Sequence, residues 1–230
     1  KKIIYIITGL NVGGAEHVLY RLLTKIDRRV YHPVVISLIK KGAIAFKIEK
    51  LNIRVYSLGL SSIFNLIPAL IKLASIMRSF NPQIVHNFMI HSAFFGGIIA
   101  KFLNVPTIIW NIFCNDLSLQ SNKIETKLIM KICAPLSRAI PNKIIVDSTS
   151  AYSAHETAGY LSQKMEIINN GVDTNKFSPD GIKYNKYRQK YFKDDELVIG
   201  LIARFHPVKG HDIFIKAVSL LKRKINNVKF

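Results

Sequence analysis

The sequence has few cysteines, few acids and no long uninterrupted apolar run, and each shortage closes a class of function. Its two cysteines, Cys114 and Cys133, have no metal-ligand spacing and suggest no framework of bridges, which fits a reducing, cytoplasmic compartment. Lys1-Lys2 followed by Ile3–Ile7 imitates a secretory leader, but the apolar run is too short and leads into a Gly-rich turn. The stretch from Ile84 to Asn115 carries only Lys101 as a charge. Gly96-Gly97, Asn104 and Pro106 nevertheless divide it into strand, helix and strand, so a membrane-spanning helix is not expected. Neither an internal repeat nor a low-complexity tract is visible. Acids are outnumbered, 14 against 33 Lys and Arg, leaving a formal charge of +19. Such a charge attracts nucleic acid, an anionic membrane surface or phosphorylated substrates. The cations are scattered over helices and loops, without the basic tail of many RNA binders, so nucleic acid is not the expected partner.

What is present is an apolar fraction of 49%, enough for a sizeable core. Continuous apolar runs alternate with segments of helical period. Strands are expected at 2–8, 33–38, 54–58, 83–86, 107–111, 143–146 and 164–168. The helices between them are expected to start after Gly14 and to cover 43–51, 65–79, 91–103, 123–138 and 150–158. Strands alternating with helices of this length imply right-handed crossovers and a doubly wound parallel α/β sheet. This first domain is expected to span 1–175. Segment 176–196 reads as a linker, in which Tyr184, Tyr187 and Tyr191 share one helical face and are expected to pack on a domain. A second domain then begins at 197 with a buried apolar run, Val198–Ala203.

Three stretches carry chemistry. Asn11-Val12-Gly13-Gly14-Ala15-Glu16 is a glycine loop between a strand and a helix. It lacks the three glycines of the dinucleotide fingerprint, which speaks against NAD. Paired glycines let a backbone approach a ligand closely. The second stretch, 198–212, joins a strand to a helix through a loop bearing Arg204 and Lys209, with Gly210 at the helix start. Two cations beside backbone N–H groups at a helix N-terminus suit a diphosphate. The third is Ile168-Asn-Asn-Gly-Val-Asp-Thr-Asn-Lys-Phe-Ser-Pro179. Between them, His86 and His91 are expected at the carboxyl end of a strand, the edge where open α/β sheets bind ligands. Asn115 and Asp116 follow another strand to the same edge.

These stretches, with Gly200, Arg204, Lys209 and Gly210 in the pattern G-x-x-x-R-x-x-x-x-K-G, resemble glycosyltransferase family 4. The resemblance implies GT-B architecture: a Rossmann-like acceptor-side domain, then the first βα unit of an incomplete donor-binding domain. It implies a retaining, hexosyltransferase-type reaction from a nucleotide-diphosphate sugar to the hydroxyl of a glycan or lipid-linked acceptor. It further implies surface polysaccharide or glycolipid synthesis at the inner membrane face, as a peripheral protein. Gly13, Gly14, Arg204 and Lys209 would then meet the donor diphosphate, and Glu16, His86 and Asn115 stand as acceptor-side candidates. His91, Cys114 and Asp116 are the catalytic candidates. No metal and no cofactor are expected. One departure stands out, since Phe113 and Cys114 occupy positions where the related pattern has Arg and His. A thiol cannot replace imidazole hydrogen bonding to a sugar hydroxyl. The family's acidic E-x7-E motif is also absent, so the chain reads as a C-terminally truncated, inactive fragment needing its other half or a partner subunit. Two further readings stay open: a non-catalytic half-transferase and a sugar-nucleotide epimerase.

Overall fold

A computed structural model describes residues 1–113, 124–193 and 195–230. They form two compact units, Lys1–Gly171 and Val172–Phe230, so the segment 176–196 lies within the second.

The first unit alternates strand and helix throughout its described part. Its strands are β1 (Lys2–Ile7), β2 (His32–Ser37), β3 (Val55–Ser57), β4 (Ile84–Phe88), β5 (Thr107–Ile112), β6 (Lys143–Val146) and β7 (Met165–Ile167). Its helices are α1 (Gly14–Lys25), α2 (Ala43–Glu49), α3 (Leu66–Phe80), α4 (Ile90–Phe102), α5 (Ile124–Leu136) and α6 (Thr149–Thr157). All seven strands run parallel in the order β3-β2-β1-β4-β5-β6-β7. The doubly wound α/β sheet expected from the alternation is therefore present.

Apolar residues on every position of β1 after Lys2 are explained by burial on both faces. Ile4 and Ile6 enter a core with Leu73, Met77, Val85, Ala93 and Trp110 beneath α3 and α4. Ile3, Tyr5 and Ile7 enter the opposite core with Leu19, Leu23, Ile44 and Ile48 beneath α1 and α2. Each fully buried Ile or Leu contributes about 1.5–3 kcal/mol.

Gly96 and Gly97, read as a break in the apolar stretch, lie inside α4. A Cβ on Gly96 would stand 2.2 Å from Asn87 Oδ1 and 2.7 Å from Ile6 Cδ1. One on Gly97 would stand 2.7 Å from Trp110 Nε1. The pair lets α4 lie close on β1, β4 and β5, which outweighs the roughly 1 kcal/mol each glycine costs a helix.

The second unit contains α7 (Gly181–Tyr191), β8 (Leu197–Val198), α8 (His211–Lys222) and β9 (Val228–Lys229), with β8 and β9 parallel. Here two expectations need correction. The run Val198–Ala203 is neither buried nor a long strand: pairing stops at Val198, and Ile202 is fully exposed. A parallel strand buries both faces only between neighbours and helices, and β8 has one strand neighbour among the described residues. Tyr184, Tyr187 and Tyr191 are each more than half exposed, with the Tyr187 and Tyr191 rings stacked 6.4 Å apart. Phe214, Val218 and Leu221 are the half-buried face of α8, whereas Ile213 and Ala217 face outward.

Candidate functional site

The strand order reverses between β1 and β4. The chain leaves β1 towards β2 and β3, then returns to add β4 on the other side. This makes a topological switch point, and the carboxyl edge beside it is the usual ligand position in such sheets.

After β1, the loop is tied down before it reaches α1. Leu10 is fully buried, and its carbonyl accepts from the Ile44 N–H at 2.9 Å. Gly42 permits this approach, because a Cβ there would lie 2.4 Å from Asn11 Oδ1 and 2.5 Å from the Leu10 carbonyl. Gly13 precedes the first residue of α1, and a Cβ on it would meet Glu16 Oε2 at 2.4 Å. The Glu16 carboxylate therefore turns back over the helix N-terminus, where the dipole favours negative charge. Among the described residues nothing lies within 4 Å of a Cβ on Gly14, which is exposed. The glycine loop thus has one glycine against an acid and one facing free space.

After β4, the backbone is strained. Met89 has φ 74 and ψ 162, a conformation used almost entirely by glycine and costing about 1–3 kcal/mol. Its neighbours hold it there. The Met89 N–H donates to the Asn111 carbonyl at 2.9 Å, and its own carbonyl accepts from the Ala93 N–H at 3.0 Å. The buried Ser92 hydroxyl contacts the carbonyls of both Met89 and Phe88. The strain turns the chain from strand into helix at the switch point. Methionine carries no residue-type signal for such a backbone, so nothing in the sequence singles out Met89.

His91 sits in the first turn of α4 and is half-buried. Desolvation pushes its imidazole below the usual histidine range, and the Glu125 carboxylate in the first turn of α5 partly opposes this. It is a neutral imidazole at pH 7, able to donate from one nitrogen and accept at the other. His86 is placed differently from expectation. It lies two residues inside the end of β4, only 7% exposed, with ring centroids 5.5 Å from Tyr5 and 4.7 Å from Phe88. Burial depresses its pKa to about 3, and its Nε2 is buried without a partner among the described residues. It belongs to the packing under the edge. Phe113 extends the same aromatic row, 5.7 Å from Phe88. Cys114, Asn115 and Asp116 lie outside the described residues.

Arg204 and Lys209 belong to the second unit, on the loop from β8 to α8, and both are exposed. Backbone bonds from Lys209 N–H to the His206 carbonyl and from Gly210 N–H to the Pro207 carbonyl tighten this loop. Gly210 itself has φ 65, the left-handed conformation that favours glycine, immediately before α8. The fold thus gathers Gly13, Gly14, Glu16 and His91 at one edge of the first unit, and Arg204 and Lys209 on one loop of the second. No group of three His, Cys, Asp or Glu able to hold a metal occurs among the described residues. Among them, no helix is long and apolar enough to cross a membrane.

A seven-stranded doubly wound parallel sheet of this order is the fold that the chain shares with solved structures of GT-B architecture. The chain belongs to Glycosyltransferase Family 4, whose profile matches residues 12–176. HepE from Anabaena, crystallised with UDP-glucose, superposes with a TM-score of 0.77 at 22% identity, over 99% of this chain and 59% of HepE. EpsF of Bacillus subtilis, named as a putative glycosyltransferase, is 22% identical over 97% of this chain and 59% of its own length. The GDP-mannose-dependent alpha-(1-6)-phosphatidylinositol monomannoside mannosyltransferase of Mycolicibacterium smegmatis is 34% identical over 83 residues, 35% of this chain and 22% of that protein. The chain therefore spans about three fifths of HepE and of EpsF.

Proposed function

We propose that the protein is the acceptor-side domain and the opening of the donor domain of a retaining hexosyltransferase. It uses a nucleotide-diphosphate sugar and serves surface polysaccharide or glycolipid synthesis at the cytoplasmic face of a membrane. The observation that carries this reading is the switch point between β1 and β4, where the Gly13-Gly14 loop and the strained turn at Met89 follow the two strands, in a chain of this family. UDP-glucose and GDP-mannose, named with its relatives, are the donors to try first.

In this reading the bond between the anomeric carbon and the diphosphate oxygen breaks, the acceptor hydroxyl oxygen adds on the same face, and its proton passes to the departing diphosphate. Negative charge grows on the departing diphosphate. The exposed cations Arg204 and Lys209 stabilise that charge together with the N-terminus of α8, without a metal or other cofactor. On the first unit, Gly14 leaves space for a ligand to approach the backbone, and neutral His91 hydrogen-bonds a sugar or acceptor hydroxyl.

The second unit supports the view that the whole site needs more protein than these 230 residues. No residue of α8 is buried, and Phe205, Ile213, Ile215 and Leu220 are each more than 60% exposed. Two short parallel strands under one helix cannot bury such a surface. Further chain or another subunit covers it, and the 230-residue chain alone turns over little or no donor. The same exposure favours, as a second reading, a half-transferase that binds and assembles without catalysis.

Calorimetric titration with UDP-glucose and GDP-mannose tests the donor assignment. Replacing Arg204 and Lys209 by Ala should weaken binding by about tenfold or more, the loss of two charge-assisted contacts, and leave the melting temperature unchanged, since both side chains are exposed. Equal binding by the double variant would sink the diphosphate role. Turnover restored by adding the missing half would decide for the enzyme over the half-transferase.

A further inference from the structure

Helix α3 is apolar on two faces, and the fold uses only one of them. Ala69, Leu73 and Met77, spaced four apart, are buried against the sheet. Phe64, in the turn just before the helix, and Ile67 and Ile71 within it form a second stripe at spacings of three and four. Their exposures are 93%, 70% and 65%. An ordinary surface helix presents polar residues on its outer face.

The stripe is held in place. Asn65 Oδ1 accepts from the Ser61 and Ser62 N–H groups at 3.2 and 3.1 Å, and Asn65 Nδ2 donates to the Gly59 carbonyl at 2.9 Å. Lys72 Nζ donates to the Ser57 carbonyl at 2.9 Å, tying α3 to the end of β3. Because β3 is parallel to the rest, the start of α3 lies at the carboxyl edge, the edge that also carries the Gly13-Gly14 loop and His91.

Charge identifies the occupant. No Asp or Glu occurs between Glu49 and Asp116, whereas Lys50, Arg54, Lys72, Arg78 and Lys101 do, in a chain of net charge +19. Lys72 and Arg78 are exposed on α3 itself. Three apolar side chains over two turns are too few for the roughly 800 Å² per partner that a stable dimer buries. They suit shallow insertion at a bilayer surface, with cations meeting anionic headgroups.

We propose that Phe64, Ile67 and Ile71 form a docking surface for an anionic lipid bilayer and bring the acceptor edge of the domain to the membrane. The proposal rests on the acceptor-side reading above and adds the residues that touch the lipid.

Flotation with vesicles of phosphatidylglycerol and phosphatidylcholine tests it, with pure phosphatidylcholine as the control. The chain should float with the anionic vesicles, and binding should fall several-fold as salt rises from about 50 to 500 mM, the range over which screening tightens. The variant Phe64→Ser/Ile67→Ser/Ile71→Ser should bind about tenfold more weakly, or worse, having lost its apolar anchor. Its far-ultraviolet circular dichroism and melting temperature should not change, because the three side chains are solvent-exposed. A second variant, Ile67→Trp, should show an emission blue shift on anionic vesicles. Wild-type binding retained by the triple variant, or no blue shift, would overturn the proposal. So would a dimer of the wild-type chain that the triple variant dissolves, since the stripe would then face a second copy. Nucleotide-sugar titration of the same samples separates the two readings. Vesicle binding without donor binding removes the transferase reading alone, and donor binding without vesicle binding removes the docking surface alone.

Discussion

Replacing Met89 by Gly and by Ala measures the strain at the switch point. Both variants remove the same half-buried side chain to within a methyl group, so the difference between them isolates the backbone. At φ 74 and ψ 162 an L-residue carries about 1–3 kcal/mol of strain, which glycine does not. Against this, glycine in place of alanine costs about 0.5–1 kcal/mol through the greater freedom of the unfolded chain. The Met89→Gly variant should therefore be more stable than Met89→Ala by roughly 0 to 2.5 kcal/mol, centred near 1. The lone tryptophan, Trp110, is fully buried in β5 of the same unit and reports its unfolding by fluorescence. Urea titration should place the midpoint of Met89→Gly above that of Met89→Ala, with the slope unchanged. A Met89→Gly protein clearly less stable than Met89→Ala would refute the strained turn. Strain placed here pre-aims the first turn of α4, and with it His91, so Met89→Gly should also bind donor or acceptor less well than Met89→Ala despite its greater stability.

Other outcomes follow from single contacts. His86 is buried and neutral with a pKa of about 3, whereas in the unfolded chain it titrates near 6.5. Below that value the unfolded state binds the extra proton, so stability falls with pH by up to about 1.4 kcal/mol per unit until pH approaches 3. A His86→Phe variant should show a flatter decline in urea midpoints between roughly pH 6 and 4, and an unchanged decline would remove this cause. Gly14→Ala should melt at the wild-type temperature, since its Cβ meets nothing among the described residues, yet weaken nucleotide-sugar binding; unchanged affinity in calorimetry would show that no ligand uses that space. Gly96→Ala should destabilise by about 1–3 kcal/mol from overpacking against Asn87 and Ile6, less the roughly 1 kcal/mol that alanine returns to a helix; a gain in thermal stability would contradict the close seat of α4.

The alternation of strands and helices is readable from periodicity because β1 and the Val34–Ile36 run of β2 bury both faces and so are continuously apolar. Arg204, Lys209 and Gly210 are readable because the left-handed residue before α8 is a glycine, the type that announces such a backbone. The glycine pair 13–14 is readable from its residue type too, although its division of labour is not: one glycine admits Glu16 and the other faces solvent. Burial decides the rest. His86 and His91 look alike along the chain, yet strand register puts one among Tyr5 and Phe88 and the other at a half-buried helix start. Val198–Ala203 has the composition of a buried strand, but burial needs neighbours on both sides, and β8 has one among the described residues. Periodicity reveals neither the strain at Met89 nor that the outer stripe of α3 is exposed. A strained φ depends on the hydrogen bonds that surround it, and an apolar side chain is exposed or buried only according to what is packed against it.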